Sequence, residues 1–248
     1  MMKGLSKLII TEFKRFTREF EGLFFTLVFP VILLLVFGSI YGNKPSDYFN
    51  GFGFIDVSVP AYLGMIIAIG GLMSIPISVA SDREKGILHR LRATPLKPRT
   101  IMLAWIIFYF LITLAGSVIL VATGKIFYGL RFQGNVFNVF LGFTLCTTSF
   151  LTLGFMLASV IRSGRTANVI GMSLFFPMLF FSGAMIPSQG LSTVIKNIGK
   201  FIPLTYVVNL MQGLWFGDTW SAHKLDIIVL IAMSIVMGSI AVKIFKWE

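Results

Sequence analysis

The amino-acid sequence predicts an all-α integral membrane protein with six transmembrane helices. Three observations support this fold class: the composition, the length of the uncharged stretches and the distribution of the basic residues. Of the 248 residues, 56% are hydrophobic and 12% are charged, about half the charged fraction of a soluble domain. The formal net charge of +11 does not indicate a nucleic-acid-binding protein, because the basic residues lie in short islands between apolar stretches and not in one water-exposed patch.

The uncharged stretches set the number of spans. A bilayer core about 30 Å thick requires roughly 20 apolar residues per helix. Five stretches meet this length, and a sixth, Ile227–Val242, is shorter but is extended by Leu225 and by Ile244-Phe245, with Lys243 reaching to the interface. We place the spans at about 23–42, 59–80, 101–123, 137–161, 167–186 and 225–245. A seventh stretch, 201–217, contains Pro203, Asn209 and Gln212 and therefore fits a re-entrant or interfacial helix better than a lipid-exposed span.

The basic residues set the orientation. Six spans place both termini on the same side of the membrane. With the N-terminus inside, about 15 of the 21 Lys and Arg residues lie in inner segments and about 6 in outer segments, as the positive-inside rule requires. A seventh span would move Lys243 and Lys246 outside and weaken this bias. We therefore expect both termini to be cytoplasmic.

The ionisable and thiol side chains do not form a catalytic or metal-binding pattern. Cys146 is the single cysteine, so neither a disulfide within the chain nor a Cys-rich metal site is possible. His89 and His223 fall on opposite predicted sides of the membrane, so we do not expect them to share a metal ion. No ionisable residue lies in the middle of a predicted span, and this weighs against proton-coupled transport. We expect one membrane domain over residues 1–248, with no cleavable signal peptide and no bound cofactor.

Residues 4–21 are predicted to form an amphipathic helix before the first span. The apolar residues that recur at three- and four-residue steps are Leu5, Ile9, Phe13, Phe16 and Phe20, and those on the opposite side are Lys7, Thr11, Lys14 and Arg18. A helix with a Phe-rich face and a basic face lies in the headgroup layer. One interpretation of this helix is that it only anchors the first span. The other is that its basic face also contacts a cytoplasmic partner.

The loop over 82–96 contains a second amphipathic pattern. Ser81 and Asp82 are candidate N-caps, and Asp82 and Glu84 would place negative charge in the first helical turn, where the helix dipole favours it. The expected helix over 82–92 carries an aliphatic ridge among basic residues, and prolines end it. The ridge consists of Ile87, Leu88 and Leu91, and the prolines are Pro95 and Pro98. Membrane-surface binding and protein docking both fit this pattern.

These residues resemble a known family. Glu84, Gly86 and Leu91, followed by Ala93-Thr94-Pro95-Leu96, look like the loop between the second and third spans of ABC-2-type transporter permeases. A second match runs from Phe176 to Pro187 and continues at Ile202-Pro203-Leu204-Thr205-Tyr206. The likeness extends over nearly the whole chain. One difference is that Gln212 stands near the position where the family often carries an arginine.

The resemblance implies a fold and a function. The 82–92 helix would be a coupling helix that docks into a separate cytoplasmic ABC ATPase, and 188–217 would form an outer re-entrant hairpin between spans five and six. The docking residues would be Glu84, Lys85, Gly86, Ile87, Leu88, Arg90 and Leu91, and the outer gate residues Pro187, Pro203 and Tyr206. Two ATPase subunits would serve two permeases, the second permease being an identical copy or a paralogue. The complex would export its cargo across the inner membrane of a prokaryote.

The sequence adds one observation about the energy source. It contains no Gly-x-x-x-x-Gly-Lys-Ser/Thr loop to bind phosphates, so ATP and its magnesium ion would be bound by the partner subunit. This chain would therefore not be an enzyme by itself. It would be the transmembrane subunit of an ATP-hydrolysing translocase.

Two polar stripes are candidates for a substrate path. They are Thr144, Thr148 and Thr152 on span four, and Ser74 and Ser78 on span two. Close helix packing explains the two serines better than substrate lining does, and a threonine hydroxyl often bonds back to its own helix. With 26 Phe residues, we expect an amphipathic, lipid-like or drug- or peptide-like cargo, although phenylalanine also covers surfaces that face membrane lipid.

Two other functions remain open at this point. An ion-coupled secondary transporter would need no ATPase, because sodium sites can be built from carbonyl and hydroxyl groups. A membrane assembly or sensor protein that transports nothing would use the basic loop to bind lipid headgroups.

Overall fold

The computed structural model describes residues 2–17, 20–92, 98–185 and 192–244. Within these ranges nearly every residue is helical, and an isolated antiparallel bridge between Ser46 and Phe52 is the only strand-like pairing. The predicted all-α fold is confirmed.

Twelve α-helices and two π-helical segments make up the described chain. The α-helices are α1 (Met2–Phe16), α2 (Phe20–Leu23), α3 (Phe29–Tyr41), α4 (Phe54–Ile69), α5 (Ile75–Glu84), α6 (Ile87–Arg92), α7 (Pro98–Tyr128), α8 (Val136–Val160), α9 (Gly164–Phe181), α10 (Thr193–Gly199), α11 (Pro203–Phe216) and α12 (Lys224–Ile244). The first π segment (Phe24–Val28) joins α2 to α3, and the second π segment (Gly70–Ser74) joins α4 to α5. Two short 3₁₀ turns cover Asp47–Phe49 and Trp220–His223.

Five helical stretches of the described chain are long and apolar enough to cross a bilayer. They are Phe24–Tyr41, Phe54–Glu84, Thr100–Tyr128, Val136–Val160 and Trp220–Ile244, and each overlaps a predicted span. The remaining predicted span, 167–186, overlaps α9. This 18-residue helix is less apolar than the other five because Arg165 and Asn168 lie in its first two turns.

A continuous helix made of α4, the second π segment and α5 lies at the centre of the molecule. Every residue of α4 from Ile55 to Ile69 is buried, since a helix that is apolar on all sides belongs in the protein interior. The helix is longer than the predicted span over 59–80. The prediction was too short because it treated Asp56 and Asp82 as markers of water, whereas both carboxylates are buried beside arginines.

Glycines allow the second π segment to pack closely against two helices. Gly71 lies against the backbone of Phe150, and Gly154 of α8 lies against the carbonyl of Gly71. On another side of the segment, Gly171 of α9 lies against the carbonyl of Leu72. A methyl group at any of these glycines would overlap backbone atoms, so small residues are required for this close approach.

Helix α1 packs along the first half of α7. Phe16 is buried and makes an edge-to-face contact with Phe108, with ring centroids 5.7 Å apart. Phe13 and Ile10 are more than half exposed, which suits a helix in the headgroup layer. The predicted stripe was therefore only partly right: Phe16 faces the protein, whereas Phe13 faces away from it.

Helices α10 and α11 occupy most of the predicted outer region over 188–217. Helix α11 begins with Pro203, a favoured first residue of a helix, and ends at Gly217, which has φ +96°. Its buried residues are Leu204, Val207, Val208, Leu210, Met211, Gly213, Leu214 and Trp215. Val207 and Val208 pack against Gly64 of α4, so α11 is attached firmly to the central helix.

Candidate functional site

The turn between α5 and α6 is the segment for which the sequence predicts partner docking. Helix α5 ends at Glu84, and the Gly86 amide donates to the Arg83 carbonyl at 3.0 Å. Gly86 has φ +67°, the left-handed conformation in which glycine commonly ends a helix. Helix α6 then begins at Ile87. The prediction of a single helix over 82–92 was therefore wrong, because the central helix continues to Glu84 before the chain turns.

The turn exposes charged side chains and buries an aliphatic one. Its exposed residues are Glu84, Lys85, His89 and Arg90, and its half-buried residues are Gly86 and Ile87. Leu88 was expected to face a partner, but it is 0% exposed and packs with Val79, Ile101 and Trp105. Leu88 therefore attaches α6 to the rest of the chain. The side chain of Leu91 and residues 93–97 lie outside the described residues.

The end of α5 is also bonded to the connection between α8 and α9. Arg83 Nη1 donates to the carbonyls of Ala158 at 2.8 Å and Ile161 at 2.5 Å, at the C-terminal end of α8. Glu84 Oε2 accepts from the amide of Gly164, the first residue of α9, at 3.1 Å. Both contacts are electrostatically favourable, since cations stabilise helix C-termini and anions stabilise helix N-termini.

A buried ion pair connects α5 to α1. Arg15 Nη1 lies 2.6 Å from each carboxylate oxygen of Asp82, which is 2% exposed. Arg15 also contacts the Ser78 hydroxyl and pairs with Glu12 at 2.6 Å. Trp105 Nε1 of α7 donates to Glu12 at 3.1 Å. We refer to the contacts of Arg15, Asp82, Arg83 and Glu84 as the α5 junction.

Arg15 of the α5 junction is held in its charged form. Burial opposes the charge on Arg15, but the electrostatic interactions with Tyr109, Asp82 and Glu12, together with the hydrogen bond to Asp82, outweigh it. The pKa of Arg15 therefore lies above its usual range. The sequence analysis missed this pair because it counted Arg15 only as a basic residue and Asp82 only as a helix cap. The available signal was Glu12, an acid one turn before Arg15 in a helix that is otherwise basic.

The threonines proposed for a substrate path bond within their own helix. The hydroxyl of Thr144 donates to the Phe140 carbonyl at 2.8 Å, and that of Thr148 donates to the Thr144 carbonyl at 2.7 Å. The hydroxyl of Thr152 donates to the Ser149 carbonyl at 2.8 Å. These contacts favour the local alternative, in which each threonine satisfies its hydroxyl on the preceding turn.

The two serines proposed for the path have different surroundings. Ser78 is buried and contacts Arg15 of the α5 junction. Ser74 is half-buried and lines a cavity of about 340 Å³. Of these two residues, Ser74 therefore has access to a space that could hold a ligand.

The predicted gate residues that the structure describes lie where α10 meets α11. Tyr206 Oη donates to the Lys200 carbonyl at 2.5 Å, and Thr205 Oγ1 donates to the Gly199 carbonyl at 2.7 Å. Pro203 sits at the start of α11. These bonds hold the two helices together as a compact hairpin. Pro187 lies outside the described residues.

A buried carboxylate organises the end of the molecule opposite to the α5 junction. Asp56 is 0% exposed and accepts from the amide and Nε of Arg131, both at 2.8 Å. It also accepts from the Gly53 amide and from Asn43 Nδ2, both at 3.0 Å. Asn43 Nδ2 reaches the Tyr128 carbonyl at 3.2 Å. We call Asn43, Asp56 and Arg131 the Asp56 cluster, and it joins the α3–α4 and α7–α8 connections.

Helix α11 bonds to the same region. Trp215 Nε1 donates to the Arg131 carbonyl at 3.1 Å. Gln212, at the position where the resemblance led us to look for an arginine, donates to the Val57 carbonyl at 3.0 Å. Gln212 therefore has a structural role in fixing α11 to α4. Sequence reasoning missed the Asp56 cluster because Arg131 is 75 residues away from Asp56.

His223 lies between two carboxylates near the same end. Its Nδ1 is 2.9 Å from Asp226 and its Nε2 is 3.2 Å from Asp218. These residues line a cavity of about 540 Å³ together with Asn209 and Gln212. In the part of the chain that the structure describes, no group of three or more His, Cys, Asp or Glu residues is arranged to hold a metal ion.

These observations define a class of protein before any comparison is made. Long apolar helices surround a buried central helix, and an exposed charged turn at one end of that helix is bonded to three neighbouring helices. The polar contacts are structural ones. This is a multi-pass membrane protein with its helices packed around one central helix.

The comparison with protein families gives the particular family. Residues 46–243 match the family described as ABC-2 family transporter protein. The chain therefore belongs to the ABC-2 transporter family, which confirms the resemblance seen in the sequence.

Individual relatives agree with this assignment. The chain is 23% identical over 193 residues to the probable multidrug ABC transporter permease YbhR of Escherichia coli K12, covering 76% of this chain and 51% of the relative. It is 23% identical over 166 residues to the inner membrane transport permease YhhJ of the same strain, covering 63% and 44%. It is 23% identical over 191 residues to ABC transporter G family member 20 of Dictyostelium discoideum, covering 74% and 25%. The chain thus spans about half the length of the first of these curated relatives.

Proposed function

We propose that this chain is the permease subunit of an ATP-driven exporter, energised by a separate cytoplasmic ABC ATPase. The observation that carries the proposal is the exposed turn after α5, which is bonded through the α5 junction to α1, α8 and α9. A force applied to this turn would reach the interfacial helix α1 and the helices α8 and α9 at once. Membership of the ABC-2 family supports the same function.

The docking surface in this proposal consists of the charged side of the turn. Glu84, Lys85 and Arg90 are exposed there, and Gly86 sets the direction in which α6 leaves α5. Ile87 is half-buried beside them. Leu88 packs in one cluster with Val79 of α5 and with Ile101 and Trp105 of α7, so that α6 and α5 would move as one unit. Leu91 belongs to the same proposed surface.

The proposed topology has six spans, with α9 as the fifth and both termini in the cytoplasm. The charge distribution supports it, because the turn after α5 and the α8–α9 connection are rich in basic residues. In this topology α1 lies in the inner headgroup layer, and α10 and α11 form the outer hairpin within 188–217. The whole of 1–248 would be one domain in the inner membrane of a prokaryote.

The working unit in this proposal contains two permease chains and two ATPase subunits. The second permease would be an identical copy or a paralogue, and ATP and magnesium would belong to the ATPases. Support comes from α9, where Val169, Phe176 and Phe180 form an exposed apolar side suited to helix contact. Membrane lipid would cover the remaining apolar surface.

We infer an amphipathic, lipid-like or drug- or peptide-like cargo. The relative YbhR is described as a probable multidrug permease, and the cavity beside Ser74 has largely apolar walls. In the proposed mechanism, ATP binding by the partner moves the turn after α5 and shifts the helices between two packed arrangements. Pro203 and Tyr206 would lie at the outer gate.

Reversing two charges on the turn should release the ATPase. The double variant Lys85→Glu with Arg90→Glu is expected to lower the ATP hydrolysis that co-purifies with the tagged chain by about tenfold, equal to about 1.4 kcal/mol of binding free energy. Like charges placed across an interface repel. ATP hydrolysis is measured on the complex purified from its own host.

The matched control reverses two exposed lysines at the other end, Lys196→Glu with Lys224→Glu, and should leave the co-purified activity unchanged. Full activity in the first double variant would contradict the docking surface. Uptake of cargo by liposomes that contain only this chain and an ion gradient would instead establish a secondary transporter.

A further inference from the structure

A cavity inside a single chain lies next to both π segments. It has a volume of about 340 Å³ and is bordered by the end of α1, the start of the first span, the central helix and α7. Phe25 of the first π segment lines it, as do Met73 and Ser74 of the second. π-Helical turns inside longer helices are found frequently at functional sites, and here two of them meet at the same cavity.

The walls of the cavity change from apolar to polar along its length. Ile69, Met73, Ile77, Ser81 and Lys85 line it and recur at four-residue steps along one side of the central helix. The first three are apolar and the last two polar. At 1.5 Å per residue this series spans roughly 24 Å. A ligand that matches these walls has a long apolar chain and a polar head.

The polar end of the cavity favours an anionic head. Lys85 is exposed there, and in the described part of the chain no carboxylate pairs with it. The neighbouring carboxylates already have partners, since Asp82 binds Arg15 and Glu84 accepts from the Gly164 amide. The volume is at the lower end of the range for small-molecule sites, which suits one chain and not two.

We propose that this cavity binds a single-chain anionic amphiphile such as a fatty acid. The chain lies between the two π segments, and the carboxylate lies at Ser81 and Lys85. The site belongs to one chain and requires neither ATP nor a partner. The cavity is the one that supports the proposed cargo, so the inference rests on that part of the proposed function, but binding is measured without ATP or a partner and can fail or succeed separately from export.

The test uses the full chain in phosphatidylcholine nanodiscs and a dodecanoate that carries a photoreactive diazirine near the chain end. We expect labelled peptides to contain Met73 or Phe25, and we expect unlabelled dodecanoate to compete. Ser74→Phe fills the cavity and should lower labelling at least fivefold. The control Ser173→Phe, on an exposed position of α9, should leave labelling unchanged.

A second variant tests recognition of the ligand's carboxylate head group, and its result does not depend on filling the cavity. Lys85→Gln, an exposed change, should weaken competition by dodecanoate about tenfold and leave competition by dodecanol unchanged, whereas Lys224→Gln should affect neither. If the cation dodecyltrimethylammonium competed as well as dodecanoate does, the proposed preference for an anionic head group would be wrong. Competition by two-chain phosphatidylglycerol without competition by dodecanoate would show a membrane-lipid site and overturn the single-chain assignment. Labelling that Ser74→Phe does not reduce would overturn the cavity itself.

Discussion

Asp82→Ala is expected to destabilise the chain by about 3 kcal/mol. Removing one partner of a buried ion pair typically costs 3–5 kcal/mol, because the other charge remains buried without compensation. Here Arg15 would lose both of its contacts with the Asp82 carboxylate. The lower end of the range applies because the Arg15 side chain is 25% exposed and Glu12 remains beside it. The effect is measured as the loss of the monodisperse elution peak of detergent-solubilised protein after heating.

The double variant Arg15→Leu with Asp82→Leu is the control for this prediction. Replacing both members of a buried pair by apolar residues is often close to neutral. Glu12 loses Arg15 in this variant but keeps the hydrogen bond from Trp105, so the double variant should still be more stable than Asp82→Ala. A stability of Asp82→Ala within 0.5 kcal/mol of wild type, the range of ordinary surface substitutions, would show that the ion pair does not hold α1 to α5.

Asp56→Ala is expected to have a similar effect at the opposite end, about 3 kcal/mol, the lower end of the range for a broken buried pair, because the Arg131 side chain is 40% exposed and water can solvate it. The change removes the acceptor for the Arg131 amide and side chain, the Gly53 amide and the Asn43 amide group. Each buried donor left without a partner adds a cost of its own. Thermal stability in detergent measures the loss, and cleavage of the α3–α4 and α7–α8 connections by an added protease measures the loosening.

Asp47→Ala is the matched control, because Asp47 is an exposed acid in the same α3–α4 connection. It should behave like wild type in both assays. Asp56→Asn keeps the shape and one carbonyl oxygen and should fall between the two. If Asp56→Ala and Asp47→Ala were equally stable, the Asp56 cluster would be a surface feature and not a structural one.

The membrane class could be predicted from the sequence, because a long stretch of apolar residues is favourable in the bilayer core and a charged one is not. The positions at which the central helix begins and ends could not be predicted from the sequence. Charges usually mark the ends of spans, but Asp56 and Asp82 are both neutralised by arginines. Those arginines are 75 and 67 residues away in the chain, and periodicity carries no information about contacts over such distances.

The candidate site was predictable only in outline. The pattern from Glu84 to Leu91 predicts a docking turn, but it could not show that Leu88 faces the core. An aliphatic ridge on a short helix has the same spacing whether it binds a partner or its own chain. The π segments were also not predictable, since the close approach of Gly71, Gly154 and Gly171 to neighbouring backbone is a tertiary property.

The α5 junction gives the proposed mechanism a physical basis. Helix α5 is continuous with the buried central helix, and Arg83, Glu84 and Asp82 bond it to α8, α9 and α1. A displacement of the turn therefore cannot be absorbed locally without breaking one of these contacts. This arrangement suits the transfer of work from an outside subunit better than a loop that only binds lipid headgroups.

The most direct test of the account is thiol labelling of His89→Cys, an exposed position in α6. Cys146 is the single cysteine and is fully buried, so replacing it by alanine gives a clean background. We predict that a membrane-impermeant maleimide labels this cysteine in inverted vesicles and not in intact cells. Bound ATPase subunit should protect it, whereas Thr219→Cys should show the opposite sidedness. Labelling of the His89→Cys thiol from outside intact cells, or labelling that the ATPase leaves unchanged, would contradict the account.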